Sequence, residues 1–180
     1  MCYEIGTSTG RLIRALAEHH EGKASWIGLD VERAMIDFAS SRCPKGSHVR
    51  FELADACRYD YQPCDLIVAY YTVQFVQPRA RQRLLSTLFE ALNWGGALMI
   101  FEKVRAPDAR FQDICTSLYG DFKRKNNFSP AEIMAKSDSL RGVLEPFSLN
   151  ANIEMLRRAG FSDVMTVFKQ VCFEGFLAIK

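Results

Sequence analysis

Apolar positions along the chain follow two alternating patterns, which predict alternating strands and helices. Short segments rich in branched or aromatic residues are typical of buried strands, and longer segments with an apolar residue every three or four positions are typical of amphipathic helices. The predicted strands are residues 1–5, 24–30, 48–55, 64–71 and 97–104, and the predicted helices are residues 10–22, 31–42 and 78–96. This alternation indicates right-handed βαβ units and a mostly parallel sheet covered on both faces.

The pattern changes after residue 104. Residues 105–141 look helical and polar, with a basic break at KRKNNFSP, and a helix then follows at residues 150–161. Two last strands, residues 162–171 and 172–180, are close enough in sequence to pair antiparallel. We therefore expect one α/β domain over residues 1–180: a doubly wound, Rossmann-like, seven-stranded, mostly parallel sheet with an antiparallel C-terminal hairpin. Residues 105–141 are expected to be an insertion that acts as a lid or substrate wall.

Composition and charge narrow the class of protein. The chain has 180 residues, 48% of them hydrophobic, and a formal net charge of +2, which demands neither a nucleic acid nor an anionic membrane as partner. It contains no apolar run of the roughly 20 residues that a membrane helix needs, and the given N-terminus lacks a basic segment followed by an apolar stretch, so we expect an unexported protein. Six cysteines and three histidines show no metal-ligand spacing, so no metal is expected. We predict a cytoplasmic protein that acts on a small molecule.

The first predicted strand runs into a glycine loop, YEIGTSTG, over residues 3–10. Ligands of open α/β sheets bind at the carboxyl ends of the strands, where the strand order reverses, and this loop lies there. It matches neither the GxGxxG dinucleotide fingerprint nor a P-loop, which needs GKS or GKT. The pattern is instead E/DxGxGxG, made by Glu4, Gly6, Ser8 and Gly10, with serine as the middle small residue.

Two acidic residues end the next two predicted strands, Asp30 after the second and Asp55 after the third. Together with the glycine loop they resemble the class I methyltransferases that depend on S-adenosylmethionine (SAM). In that family one carboxylate accepts both ribose hydroxyls and a later polar side chain reaches the adenine amino group. The resemblance implies a SAM site; another doubly wound nucleotide binder is the alternative.

A closer resemblance covers the chain from Tyr3 nearly to its C-terminus. The segments TVQFVQP, NWGGALMIFEK and DFKRKNNFS are similar to stretches of the carboxy-SAM synthases, which use prephenate to convert SAM into carboxy-SAM for modification of the tRNA wobble uridine. The resemblance implies a methionine subsite, a ribose subsite and an adenine subsite. Its cofactor residues are Glu4, Gly6, Thr7, Ser8, Gly10, Asp30, Val31, Asp55, Ala56 and Tyr70.

The chain departs from that family at two site positions. Tyr70 stands where the family has asparagine, and Ser137 stands where the family's arginine receives the carboxylate of carboxy-SAM. A carboxylate in a partly dry site favours a bidentate guanidinium, which serine lacks. Arg141, four residues on and on the same helical face, is a candidate substitute. Other substrate-binding candidates are Lys103, Lys123 and Arg124, although a solvated loop also explains the last two.

The resemblance carries two expectations about the whole protein. Family members have helices before the first strand, so this chain is expected to be either a fragment or a protein with an unusually open site and weakened cofactor affinity. Family members also pair, which implies a homodimer. The cofactor is expected to be SAM, S-adenosylhomocysteine or carboxy-SAM.

The chemistry itself is expected at the ends of the fourth and fifth strands. Methyl transfer from a sulfonium needs positioning and exclusion of water more than a strong base. The candidates to face the sulfonium are Tyr70, Tyr71, Gln74, Glu102 and Lys103. We predict catalytic roles for Tyr70, Tyr71 and Glu102; the alternatives are plain aromatic packing and a Glu102–Lys103 ion pair. The predicted function is a SAM-dependent small-molecule methyltransferase. A carboxy-SAM synthase and a catalytically inactive SAM-binding protein are the alternatives.

Overall fold

Seven strands form one sheet in the computed structural model of the chain, which describes residues 1–44 and 46–180. The strands are β1 (Cys2–Ile5), β2 (Trp26–Asp30), β3 (Val49–Leu53), β4 (Cys64–Tyr70), β5 (Leu92–Lys103), β6 (Asp163–Gln170) and β7 (Phe173–Ile179). Their order is β3-β2-β1-β4-β5-β7-β6. The β5–β7 and β6–β7 pairs are antiparallel and the other neighbours are parallel. The doubly wound sheet with an antiparallel C-terminal hairpin is therefore confirmed.

Helices cover the sheet: α1 (Arg11–His19), α2 (Arg33–Ser41), α3 (Pro78–Ala91), α4 (Ala109–Lys125), α5 (Pro130–Ser139) and α6 (Leu149–Ala159), with a short 3-10 helix at Val73–Phe75. Local signals explain several boundaries. Proline starts α3, a capping box between Ser129 and Glu132 starts α5, and Gly160 with a φ of 122° ends α6. Two helices thus fill residues 105–141, and their role as a lid stays a prediction.

One predicted boundary is wrong. The helix expected over residues 78–96 ends at Ala91, and the chain enters β5 at once. Leu92 already pairs with Cys64 of β4, and the N–H of Gly95 donates to the carbonyl of Lys180 at 2.8 Å. Pairing with two distant segments therefore takes residues 92–96 into the sheet, across a register shift between β4 and β5.

The core lies between the central strands and the helices α3 and α6. All four residues of β1 are buried, as in a strand that is covered on both faces. Leu84, Leu85 and Leu88 of α3 pack with Phe161 into the larger of two apolar clusters. Burying each such side chain contributes about 1.5–3 kcal/mol. The strand ends that carry the site therefore project from a rigid platform.

Helices α4 and α5 differ from this platform because no residue in either one is fully buried. Across residues 1–44 and 46–180, no helix combines the length and the apolarity that crossing a membrane requires.

Candidate functional site

The loop between β1 and α1 has a left-handed backbone at three positions. The φ angles of Gly6, Ser8 and Gly10 are 69°, 48° and 68°. A Cβ at Gly6 would lie 2.4 Å from Oγ1 of Thr72, and a Cβ at Gly10 would lie 2.6 Å from Cζ of Phe51. Glycine is favoured at both positions because the positive φ would strain any other residue and the space for a Cβ is already occupied. The loop is thereby packed against Thr72, which follows β4, and against Phe51 of β3.

Asp30, the last residue of β2, ties this loop to the neighbouring strand. Its Oδ2 accepts a hydrogen bond from the N–H of Ser8 at 2.8 Å, and its Oδ1 accepts one from the N–H of Glu32 at 3.0 Å. A carboxylate has about four acceptor positions, so both oxygens retain capacity for ligand hydroxyls. The side chain is fixed in place and still lines the open cleft.

Asp55 follows β3 in the same way. Its Oδ1 accepts a hydrogen bond from the N–H of Cys57 at 2.9 Å, and its Oδ2 lies 3.7 Å from Nε of Arg58. Both groups are largely exposed, so this ion pair is weak. The carboxylates of Asp30 and Asp55 therefore line one cleft from two adjacent strand ends.

The cleft itself has a volume of about 1260 Å³ and opens at the carboxyl ends of the parallel strands. Its far wall is the start of α3, including Arg79 and Arg83, with Phe75 of the 3-10 helix. Eight of the residues predicted from sequence line it together: Gly6, Ser8, Asp30, Val31, Asp55, Ala56, Tyr70 and Tyr71. Their individual binding roles stay predictions.

Three other predicted cofactor residues do not line the cleft. Oγ1 of Thr7 donates to Oε2 of Glu4 at 2.5 Å, and both residues are buried. Burial raises the pKa of the Glu4 carboxyl to about 7. Gly10 precedes α1 and packs against Phe51. Glu4, Thr7 and Gly10 thus support the loop from inside the protein.

An aromatic wall closes the side of the cleft next to β5 and β7. Tyr71 has a φ of 57°, and its N–H donates to the carbonyl of Phe101 at 2.8 Å. Its ring centroid lies 4.5 Å from that of Tyr70 and 5.4 Å from that of Phe173. A left-handed backbone conformation is energetically costly for tyrosine and is retained only where the surrounding structure enforces it. Tyr71 is therefore a constrained element of the site.

Glu102 lies elsewhere than we expected for a group facing the sulfonium. It is 3% exposed and does not line the cleft, and its Oε1 accepts a hydrogen bond from the N–H of Val73 at 3.0 Å. Burial raises the pKa of its carboxyl to about 8. No ion pair with Lys103 forms in the described part of the chain, because adjacent strand residues point to opposite faces. Glu102 instead fixes the start of the 3-10 helix.

Gln74 and Arg81 complete this buried network. The side chain of Gln74 donates to the carbonyl of Tyr71 at 3.2 Å and accepts from the N–H of Lys103 at 2.9 Å. The guanidinium of Arg81, 2% exposed, donates to the carbonyls of Gln74, Val76 and Glu145 at 2.7–2.9 Å. Burial lowers the pKa of Arg81. The turn after β4 is therefore bonded from three sides.

Sequence reasoning missed Arg81, although a signal existed. Arg81 falls on the helical face that also carries the buried residues Leu84, Leu85 and Leu88. An arginine on such a face is either a buried structural group or a sign that the buried face of the helix was predicted incorrectly. Because Arg79 and Arg83 lie on either side of it, Arg81 looked like one more residue of an exposed basic segment.

The four predicted substrate cations separate into two kinds. The ammonium groups of Lys103 and Lys123 both lie over the ring of Tyr119, at 5.3 and 4.3 Å from its centroid. Arg124 forms an ion pair with Asp121, and Arg141 forms one with Asp138 at 2.7 Å. Both arginine side chains are largely exposed. The structure brings the two lysines together and leaves the two arginines paired on the surface.

Comparison with known proteins identifies relatives at two levels. A family model described as a methyltransferase domain matches residues 3–96. The carboxy-S-adenosyl-L-methionine synthase of Campylobacter jejuni is 38% identical over 178 residues, covering 98% of this chain and 75% of that protein. The enzyme of the same name from Nitratiruptor is 34% identical over 179 residues, covering 99% of this chain and 75% of that protein.

Solved structures show the same fold at low sequence identity. Human N-acetylserotonin methyltransferase in complex with SAM has a TM-score of 0.68 at 14% identity, covering 99% of this chain and 47% of that one. Phosphoethanolamine N-methyltransferase 2 of Haemonchus contortus, also in complex with SAM, has a TM-score of 0.73 at 17% identity, covering 99% and 48%. The fold is therefore that of the class I methyltransferases.

Proposed function

The chain belongs to the carboxy-S-adenosyl-L-methionine synthase family of methyltransferase-domain proteins, and from that premise we propose that it converts SAM and prephenate into carboxy-SAM. The comparisons support a SAM-dependent transferase of this fold. Our proposal adds that the transferred group is a carboxyl group. The observation that carries it is the similarity to enzymes of that name across 98% of the chain. This replaces methyl transfer to a small molecule, which the sequence alone ranked first.

The cleft suits the adenosyl part of SAM. In our proposal the backbone of residues 6–8 lies beside the methionine moiety, because Gly6 and Ser8 line the cleft. The carboxylate of Asp30 accepts the ribose hydroxyls, and Asp55 reaches the adenine amino group. A pyrophosphate fits poorly here, because both acidic groups would repel it.

The proposed reaction balances without a further reactant. The ring carboxyl and the ring hydroxyl of prephenate leave, so the ring becomes aromatic and phenylpyruvate remains. The methyl carbon of SAM loses a proton, which combines with the departing hydroxide as water, and forms a new bond to the carboxyl carbon. The protein's task is to hold both molecules together and exclude water. The rings of Tyr70 and Tyr71 offer their faces to the cationic sulfur.

The test is to incubate the purified protein with SAM and prephenate and to weigh the nucleoside product. We expect a mass gain of one CO2, dependent on both substrates. Unchanged SAM after prolonged incubation with prephenate contradicts the proposal. Calorimetry with SAM and with S-adenosylhomocysteine then tells an inactive binding protein from one that binds neither.

Methyl transfer remains the second candidate because of one observation. The resemblance described above aligns Ser137 of α5 with the family's carboxylate-binding arginine, and the side chain of Arg141 is 81% exposed and bonded to Asp138. Neither residue supplies a free guanidinium to a carboxylate. Formation of S-adenosylhomocysteine from SAM and a small-molecule acceptor, without carboxy-SAM, would favour this candidate.

The homodimer that the resemblance implies stays a prediction. Sedimentation velocity of the purified protein checks it.

A further inference from the structure

Two basic residues from different elements share one aromatic ring beside the cleft. Lys103 is the last residue of β5, and Lys123 lies in the last turn of α4. Their ammonium groups are 5.3 and 4.3 Å from the ring centroid of Tyr119, which lies one helical turn before Lys123. Tyr119 and both lysines are half-buried. The arrangement therefore concentrates positive charge in a partly dry place.

This charge has no counter-ion among the residues that the structure describes. Within residues 1–44 and 46–180, no carboxylate oxygen lies within 4.0 Å of either ammonium group, whereas Arg124 and Arg141 each have an aspartate. Burial and the proximity of Lys103 lower the pKa of Lys123. A cation–π contact does not supply a negative charge. Two like charges held at one aromatic ring fit a site whose anion comes from outside the chain.

A layer of aromatic rings joins this place to the cleft. The ring centroid of Tyr119 lies 5.1 Å from that of Phe173, and Phe173 lies 5.4 Å from Tyr71, which lines the cleft. The buried side chain of Gln74 bonds to the backbones of both Tyr71 and Lys103. The position of the lysine pair relative to the cleft is therefore fixed by the protein.

We propose that Lys103 and Lys123, over the ring of Tyr119, form a carboxylate-binding subsite for the second substrate. The ligand class is a small organic acid with an unsaturated or aromatic ring, because two cations contact the first of three successive aromatic rings, those of Tyr119, Phe173 and Tyr71. The identity of that acid as prephenate rests on the proposed function.

The kinetic test replaces each lysine with methionine, which keeps an apolar stem on Tyr119 and removes the charge. For Lys103→Met and Lys123→Met we expect the KM for prephenate to rise about tenfold or more, with the dissociation constant for SAM unchanged by calorimetry. Lys125→Met, an exposed lysine of the same helix, is the matched control and should leave both quantities unchanged. Should one lysine variant fail to fold, the other still decides.

A second measurement does not depend on turnover. Titration of the protein with prephenate, followed by NMR of the lysine side chains, should shift the signals of Lys103 and Lys123 saturably and raise the pKa of Lys123. Saturable shifts without carboxy-SAM formation would support the subsite and overturn the proposed function. Formation of carboxy-SAM with an unchanged prephenate KM in both methionine variants would overturn the subsite and leave the function standing.

Discussion

At the residue scale, we expect cofactor recognition to depend most on the side chain of Asp30. It holds the backbone of Ser8 and of Glu32, so it shapes the loop as well as facing the cleft. Gly6 acts through what it lacks, because the space for its side chain is already occupied by Thr72. A single substitution at each of these two residues therefore tests its role.

Asp30→Asn is expected to weaken SAM binding about 10- to 100-fold. The amide keeps one acceptor oxygen but loses the charge, and hydrogen bonds to charged groups contribute about 1.5–3 kcal/mol each. Isothermal calorimetry with SAM measures the change. Asp37→Asn removes the same charge from the exposed side of α2 and should bind like the unmodified protein. Equal affinity of the two variants contradicts the ribose role of Asp30.

Gly6→Ala is expected to destabilise the protein by more than Gly95→Ala does. Both glycines have a φ near 70–77°, so alanine costs about 1 kcal/mol or more at either position. Only at Gly6 does the new Cβ meet other atoms, those of Thr72, whereas nothing lies within 4 Å at Gly95. Urea unfolding of both variants gives the difference. A smaller loss at Gly6 would show that Thr72 moves aside freely.

At the scale of elements, the 3-10 helix at Val73–Phe75 connects the two halves of the site. It follows directly on Tyr71 and Thr72, so its position sets both the aromatic wall and the packing against Gly6. Glu102, Gln74 and Arg81 bond to this turn or to its flanks from β5, from within and from α3. The structure therefore gives Glu102 a positioning contact rather than a place facing the substrate.

Glu102→Gln and Glu102→Ala separate these two roles. The amide oxygen of glutamine still accepts the hydrogen bond from Val73, so we expect that variant to keep most of the kcat and of the thermal stability. Alanine leaves a buried N–H unpaired, which costs about 1–3 kcal/mol, and misplaces Tyr71. Activity assays and thermal unfolding of both variants decide. If Glu102 instead acts as a general base, the glutamine variant should lose as much kcat as the alanine variant. That outcome would contradict the positioning role.

At the scale of the whole molecule, two buried carboxyl groups make stability depend on pH. The folded state raises the pKa of Glu4 to about 7 and that of Glu102 to about 8, from an unfolded value near 4.5. Between about pH 4.5 and pH 8, the two carboxyl groups therefore bind more protons in the folded protein than in the unfolded chain. The free energy of unfolding contributed by these groups is therefore fully present below about pH 4.5 and is lost as the pH rises to about 8.

We expect the midpoint of thermal unfolding to fall as the pH is raised from about 5.5 to 8.5. The slope is at most about 1.4 kcal/mol per pH unit for each proton retained. Calorimetry across this range measures it. Glu4→Gln and Glu102→Gln should each flatten the slope, and Glu154→Gln, which changes an exposed carboxyl of α6, should not. A midpoint that rises over this range would contradict the assignment.

Much of the fold was readable from sequence because its signals are local. The alternation of apolar patterns indicated the strands and helices, and the closeness of the last two strands indicated the hairpin. Asp30 and Asp55 were identified from their places after strands, and the carboxyl ends of parallel strands meet at one edge of a sheet. Local sequence therefore determined the sheet, the glycine loop and the two acidic residues of the cleft.

Tertiary structure alone decided where α3 ends, what Glu102 contacts and which cations meet. Glu102 bonds to a residue 29 positions away, and Arg81 bonds to the carbonyl of Glu145, 64 positions away. Lys103 and Lys123 lie over one ring only because the fold brings Tyr119 of α4 close to the end of β5. Such contacts depend on where the chain returns in space. A pattern of neighbouring residues contains no information about that return, whereas the packed core imposes it.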